Sequence, residues 1–437
     1  MLDHLDPYAN TVIGGQHFDA LVKVLHNKKL GKHVASLVVL SDKDWSDKCW
    51  AQLAQITGTS VSFRSLVHPG APFGRANSLK FSSLVSLSMT IKHANQTELN
   101  LDLPALRHLK VFYENNEFNK LKFGRLAQSL VKGGILAHLV GLEFEELVIK
   151  DLKLLNESNN NLQLATWLSF FYELGDLVVG GIPLYSLREL SLDGFIHDQG
   201  PSLVATLEKV FDLATLSTLK LTIKEFSHLN NSHFDNESNL LVPLASRCTS
   251  LQSLTVSPTF NCLTCQFHML LHTLVLLEGK LQYLNLQFEV MNFDHTKHLY
   301  SAILSHQWRL KSLILYDKSN EFFNEKQMVK HLKAQFSQFE KTTFYLQLFY
   351  KTYPISLEPY KCVSGISSIY KTFFSENQDA LSVYLADYLK SVGLKSPPTS
   401  LEQFVVNNVP LVVLNGSWTF MDAAKTPILF PDSKYPL

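Results

Sequence analysis

Leu251-Gln252-Ser253-Leu254-Thr255-Val256 is followed 30 residues on by Leu281-Gln282-Tyr283-Leu284-Asn285-Leu286, and 29 residues later by Leu310-Lys311-Ser312-Leu313-Ile314-Leu315. Each stretch is an apolar residue, two variable residues, a Leu, one variable residue and a final aliphatic. The last two apolar positions alternate with variable ones, the period of two that a half-buried strand requires. Five further segments read the same way: Leu84-Leu87-Met89, Leu106-Leu109-Val111, Phe144-Leu147-Ile149, Leu187-Leu190-Leu192 and Leu216-Leu219-Leu221. So short a unit cannot bury its apolar face alone, and copies of it must stack against one another.

The pattern is that of a leucine-rich-repeat strand. It predicts an α/β chain, an irregular leucine-rich-repeat solenoid with one curved parallel sheet and with helices and loops on the convex side. The intervals between first apolar positions are 22, 38, 43, 29, 35, 30 and 29 residues, so the connections must differ in structure. Phe123 to Val131 and Leu203 to Leu213 have helical spacing. Leu155 to Leu164 and His228 to Leu240 are Asn- and Ser-rich and read as loops. Ahead of the repeats, Phe18, Leu21, Val22 and Leu25 predict a helix, and Val34, Leu37 and Val39 a strand. Gly58 to Asn77 is irregular, with a strand around Val61 to Val67.

Residues 1–350 are therefore expected to form the repeat array with its helix–strand cap, and 351–437 the C-terminal repeats and capping segment of the same domain. Tyr345 to Phe349 supplies another strand. Ser375 and Gln378 make a capping box before the apolar positions Leu381, Tyr384, Leu385 and Leu389, and Gly393 ends that helix. Leu411 to Leu414 is the last strand expected, and the tail from Pro427 an irregular cap.

Hydrophobic residues make up 46% of the 437 and charged ones 18%, ample for a core and unlike a disordered chain. Lys and Arg number 39, as do Asp and Glu, so no global field draws phosphate backbones or anionic membranes, and nucleic acid is not expected as a partner. Five scattered cysteines fit a reducing compartment better than a disulfide scaffold. Without a basic, apolar leader or a long apolar run, the expected location is cytoplasmic or nuclear, away from membranes.

Tyr8-Ala9-Asn10-Thr11-Val12, the helix with Phe18, Leu21 and Leu25, and Lys29-Leu30-Gly31-Lys32-His33-Val34-Ala35-Ser36-Leu37 together resemble the stretch after the F-box in the fungal F-box and leucine-rich-repeat family. Members recruit substrates to cullin-type ubiquitin ligases. The resemblance implies a substrate-receptor-like role and ubiquitin-ligase components among the partners. The chain departs from the family in two ways. Only a handful of residues precede the matching segment, which leaves no room for an F-box, so adaptor binding is not carried over. The Asn that follows three residues after the final aliphatic is also missing, with Lys92, Glu114, Phe195, Lys224, Thr259, Glu289 and Lys318 in its place.

No phosphate-binding glycine loop, His-Glu-x-x-His pair or nucleophile elbow occurs, and the reading is non-enzymatic, with no catalytic residue and no cofactor. Cys262, Cys265, His268 and His272 have zinc-ligand chemistry, but their spacing fits one apolar helix from Phe267 to Leu277, so no metal is assigned. Lys28, Lys29, Lys32 and His33 read as a solvated helix end. Outward strand positions carry the binding prediction. Early and middle strands offer a bland polar set that includes Glu146, Lys150 and Ser191. Late strands offer Tyr283, Asn285, Gln287, Ile314, Tyr316, Tyr345, Gln347 and Phe349, and tyrosine is enriched at binding hot spots. Tyr283, Tyr316, Tyr345 and Phe349 are expected to line up across successive strands as an aromatic stripe for a protein partner. The alternative function is a structural scaffold subunit of a larger intracellular complex unrelated to ubiquitin ligases.

Overall fold

Alternation along each repeated segment becomes alternation of faces in the folded chain. The computed structural model describes residues 10–13, 18–26, 36–39, 49, 52–53, 55–56, 64–68, 79–91, 101–114, 123–147, 167–178, 184–195, 200–224, 240–259, 263–288, 293–317, 400–406, 409–414 and 417–420. Its strands are β1 (Asn10–Ile13), β2 (Ser36–Val39), β3 (Ser65–His68), β4 (Leu79–Lys80), β5 (Ser86–Ile91), β6 (Leu101–Asp102), β7 (His108–Glu114), β8 (Gly141–Leu147), β9 (Glu189–Phe195) and β10 (Thr218–Lys224), then β11 (Ser253–Thr259), β12 (Tyr283–Phe288), β13 (Ser312–Asp317), β14 (Gln403–Val406), β15 (Val409–Leu414) and β16 (Ser417–Phe420). The helices are α1 (Phe18–His26), α2 (Gly124–Lys132), α3 (Leu168–Leu177), α4 (Gly200–Val210), α5 (Leu241–Arg247), α6 (Leu263–Leu276) and α7 (Phe293–His306). The protein is α/β, in two compact units, Met1–Leu251 and Gln252–Leu437.

In the first unit β1, β2, β3, β5, β7, β8, β9 and β10 lie side by side in that order, every pair parallel. Register places Leu37, Leu66, Leu87, Leu109, Leu142, Leu190 and Leu219 in one row, all buried. Met89, Val111, Phe144, Leu192 and Leu221 form a second buried row two residues on. β4 and β6 pair separately. In the second unit β11 to β14 are parallel, with Leu254, Leu284, Leu313 and Phe404 in the equivalent row. β15 and β16 then add on antiparallel to β14.

Helices cover the apolar face. Phe144 on β8 meets Phe170 and Phe171 of α3 at ring-centroid distances of 5.2 and 5.9 Å, and Phe123 at 5.7 Å. In α2, Leu126, Ala127 and Leu130 recur at helical spacing and are buried. Its first turn has no capping side chain of its own; instead the Phe123 N–H donates to the Ser169 hydroxyl at 2.8 Å. Gly134, at φ +67°, takes the left-handed conformation that ends the helix.

A shared pair of turns introduces the strands. The first Leu of a repeat donates its N–H to the residue three before it: Leu84 to Phe81, Leu106 to Leu103, Leu139 to Leu136, Leu216 to Leu213 and, in the second unit, Leu310 to Gln307. The next two N–H groups then converge on one carbonyl of the preceding strand. Val85 and Ser86 donate to Arg64, Arg107 and His108 to Val85, Val140 and Gly141 to Arg107, and Arg188 and Glu189 to Val140. In the second unit Gln282 and Tyr283 donate to Gln252, and Lys311 and Ser312 to Gln282. The backbone itself thus satisfies the groups at each strand's start.

Each of the eight segments contributes to a strand, but the third is read in the wrong phase in the sequence. Phe144 occupies the final apolar position, not the first, and the repeat is Leu139-Leu142-Phe144, with Leu142 opposite Leu109 and Phe144 opposite Val111. Two overlapping copies of the pattern share Phe144, and a ring of that size fits the final position because α3 brings Phe170 and Phe171 to meet it. Register also makes Glu143 and Glu145 the outward residues of β8, whereas Glu146 is opposite inward Tyr113. The C-terminal reading changes too: Leu401-Phe404-Val406 forms a further repeat, unforeseen in the sequence, and β16 follows the strand expected to be last. Tyr345–Phe349, the helix expected from Ser375, Lys150 and the Asn- and Ser-rich stretch 155–164 lie outside the described residues.

Candidate functional site

The face opposite the helices carries the outward side chains, and in the first unit it is organised by charge. Lys110 on β7 reaches Glu143 at 2.9 Å and also pairs with Glu145, both on β8, and its Nζ lies 4.5 Å from the Phe112 ring centroid. Lys220 on β10 stands 3.9 Å from Glu143. Lys110 and Glu143 are each only 13% exposed. Burial disfavours the ammonium, but the charges and hydrogen bonds of Glu143 and Glu145 outweigh it and raise the Lys110 pKa above its ordinary value.

One row nearer the strand starts, His108, Gly141 and Glu189 are level across three strands. The missing side chain of Gly141 lets His108 and Glu189 approach over it, Nδ1 to Oε2 at 3.7 Å; a Cβ there would stand 2.7 Å from the imidazole. Further along, the β8–β9 pairing stops at Phe144–Leu192 although both strands continue. The Asp193 carbonyl, beyond that last pair, accepts instead from the Tyr113 hydroxyl at 2.6 Å and the Trp167 indole N–H at 2.9 Å. Thr90 and Phe112, also beyond it, are buried on this face. The face is therefore open at the strand starts and covered toward the strand ends.

In the second unit the predicted positions lie on adjacent strands but not in one stripe. Tyr283 is 49% exposed, and Asn285, Gln287 and Ile314 are half-exposed. Ser257 donates to Gln287 Oε1 at 2.6 Å. Register sets Tyr283 opposite Ser312 and Tyr316 opposite Gln287, so the two tyrosines are four residues apart along the strands and the expected alignment between them does not form. β14 occupies the free side of β13. Tyr345, Gln347 and Phe349 lie outside the described residues.

The sequence reading passed over Trp308, at 54% the most exposed of the large apolar side chains among the described residues. It sits in the turn between α7 and β13, on Gly279, where a Cβ would come 2.4 Å from Cζ2 of the indole. Gly279 is at φ +67° and its N–H donates to the His306 carbonyl at 2.7 Å. Neighbouring Gln307 is buried, with its amide donating to the Leu274 carbonyl at 2.7 Å, and the Trp308 carbonyl accepts from the Ser400 hydroxyl at 2.6 Å. An indole held this way is an exposed aromatic on a fixed backbone, a geometry suited to anchoring a partner. The signal was available in the sequence: a Trp two residues before a repeat's first Leu, where the preceding repeat has Gly.

His268 and His272 lie on the exposed side of α6, Cys265 is in the same helix and Cys262 lies outside the described residues. Among the described residues no three His, Cys, Asp or Glu side chains gather as a metal site would need, and no helix is long and apolar enough to cross a membrane. Cys248 is buried at the end of α5. No protein-family model matches the chain, and no curated protein matches it.

Proposed function

We propose that this chain is a non-enzymatic, leucine-rich-repeat protein-interaction module, its repeats stacked as a solenoid, acting as a substrate receptor like the F-box proteins it resembles. Its place would be the cytoplasm or nucleus. The observation that supports this reading best is the pair of exposed aromatics in the second unit, Tyr283 on the open strand face and Trp308 seated on Gly279. Large aromatic side chains held rigidly at a surface lose little entropy when a partner covers them.

Co-purification from cells, comparing the unaltered chain with Trp308→Ala and Tyr283→Ala, tests the proposal. Enrichment of a cullin and its adaptor, together with a client lost in either variant, supports the receptor reading. Each truncation is expected to weaken that client by on the order of 2 kcal/mol. A fixed set of other subunits, without any cullin, would replace it with the scaffold reading.

A further inference from the structure

In the first unit the starts of the strands and the ends of the helices meet along one edge. Exposed Arg64, Arg107 and Arg188 hold the same place in their repeats, two residues ahead of buried Leu66, Leu109 and Leu190 and immediately ahead of β3, β7 and β9. Half-buried Val85 and Val140 hold that place immediately ahead of the intervening strands β5 and β8. The converging N–H groups described above join these five residues into one continuous row, Arg64 to Val85 to Arg107 to Val140 to Arg188. With neighbouring strands about 4.8 Å apart, successive arginines are spaced about 9.6 Å.

The helices add charge of the same sign. α2 and α4 end in exposed Lys132 and Lys209. The end of α4 is tied to this edge, since Tyr185 N–H donates to the Val210 carbonyl at 2.9 Å and Asp212 N–H to the Tyr185 carbonyl at 3.0 Å. Against these cations stand Asp176 in the last turn of α3, Asp212, whose carboxylate accepts from the Ala214 N–H at 3.1 Å, and Glu189, which is turned toward His108 at 3.7 Å. Arg107 spends one guanidinium N–H on the His138 carbonyl at 2.8 Å and keeps its other donors for a partner. Glu208 is already matched by Arg247 at 2.7 Å. The chain as a whole is balanced, so the surplus is local. The same edge also bears two exposed apolar side chains, Leu177 at the end of α3 at 36% and Leu184, next to the Tyr185 that is tied to α4, at 49%.

We propose that this edge of the first unit is a docking surface for an acidic protein segment that also carries apolar residues. Its carboxylates pair with Arg64, Arg107 and Arg188, whose planar guanidinium groups suit bidentate carboxylate contacts, and its apolar residues cover Leu177 and Leu184. The leucines argue for protein over nucleic acid, because base stacking calls for aromatic faces and the exposed aromatics among the described residues, Tyr283 and Trp308, belong to the other unit. The surface is separate from that of the proposed function and stands or falls independently.

The test is fluorescence anisotropy on the full chain with a fluorescein-labelled Glu/Leu peptide and, in parallel, a labelled oligothymidylate of equal length. The peptide is expected to bind, more weakly as salt rises, and to lose about tenfold in affinity when Arg64, Arg107 and Arg188 are all changed to Gln. Changing all three to Lys, which keeps the charge but not the bidentate fork, should restore part of the binding lost in the Gln variant while controlling for folding. Leu184→Ser should weaken the peptide alone, whereas Arg125→Gln, at the far end of α2, and Trp308→Ala should change nothing. Peptide binding unaffected by the triple Gln variant, or a tighter grip on the oligothymidylate lost in that variant, would overturn the proposal.

Discussion

Substituting Gly279 with Ala separates two costs that coincide at one residue. The first is conformational: φ is +67°, and an L-residue in the left-handed region costs about 1–2 kcal/mol. The second is steric: the new Cβ would stand 2.4 Å from Trp308 Cζ2 and 2.9 Å from Cη2, far inside van der Waals contact, so the indole must leave its seat. Forced displacement of this kind costs a further ~1–3 kcal/mol. Gly279→Ala should therefore destabilise by about 2–5 kcal/mol in the unaltered background, and by only about 1–2 kcal/mol in a Trp308→Ala background, where the steric part is gone.

The assay is a double-mutant cycle by urea denaturation followed by circular dichroism, with indole emission recorded in parallel. Displacement of the ring should shift the Trp emission toward longer wavelength in the single variant. A coupling energy indistinguishable from zero would refute the seating of Trp308 on Gly279. It would also remove the argument that the indole is held ready for a partner.

Leu142→Ala and Leu190→Ala should each cost about 2–5 kcal/mol in denaturant melts and Ser191→Ala almost nothing; a small loss at Leu142 would contradict the corrected phase of the third repeat. Lys110→Met should destabilise by about 1–3 kcal/mol at neutral pH, because it leaves Glu143 and Glu145 close together and partly buried without their cation. Since the folded pKa of Lys110 is raised, its contribution is complete below the ordinary lysine pKa of about 10.4 and is lost as pH climbs through the higher folded value. A pH titration of stability should accordingly show an alkaline decline in the unaltered chain that is smaller in Lys110→Met, and identical declines would count against the assigned pairing.

The strands were legible because their signal is local: Leu190 and Leu192 alternate with Ser191 whatever surrounds them. Phase at the third repeat was not, since Leu139-Leu142-Phe144 and Phe144-Leu147-Ile149 both satisfy the pattern and only the partner strand chooses between them. The choice follows from Val111 opposite and from the phenylalanines of α3, none of them near in sequence. α3, α5 and α7 were likewise not read; α5 is seven residues long with Pro243 inside it, too short for a helical period to stand out. The candidate site was legible in part. Exposure of Tyr283 follows from its outward position, but the offset of Tyr316 depends on register, and the seat of Trp308 on a Gly 29 residues earlier can be seen only once neighbouring repeats are superposed.

Constant register and irregular connections are compatible because the strand start, not the connection, sets the register. First apolar positions are separated by 22 residues from Leu84 to Leu106 and by 48 from Leu139 to Leu187, yet both steps place Leu opposite Leu. No Asn stands three residues after the final aliphatic of the repeats ending at Met89, Val111, Leu192, Leu221, Val256, Leu286 and Leu315, and the converging N–H groups at the strand start supply a register-setting contact that needs no particular side chain. Insertions should then be tolerated before that turn and not after it. One extra Gly between Gly133 and Gly134, in an exposed turn with open space around Gly134, should cost about 1 kcal/mol or less. One extra Gly between Arg188 and Glu189 keeps the converging turn but moves Leu190 and Leu192 to the open face, since a single-residue slip reverses every side chain of a strand. Each displaced leucine forfeits about 2–5 kcal/mol, which together rivals the whole stability of a domain, so that variant should fail to melt cooperatively. If it melts like the unaltered chain, register is set downstream of the turn and the account of register without that Asn is wrong.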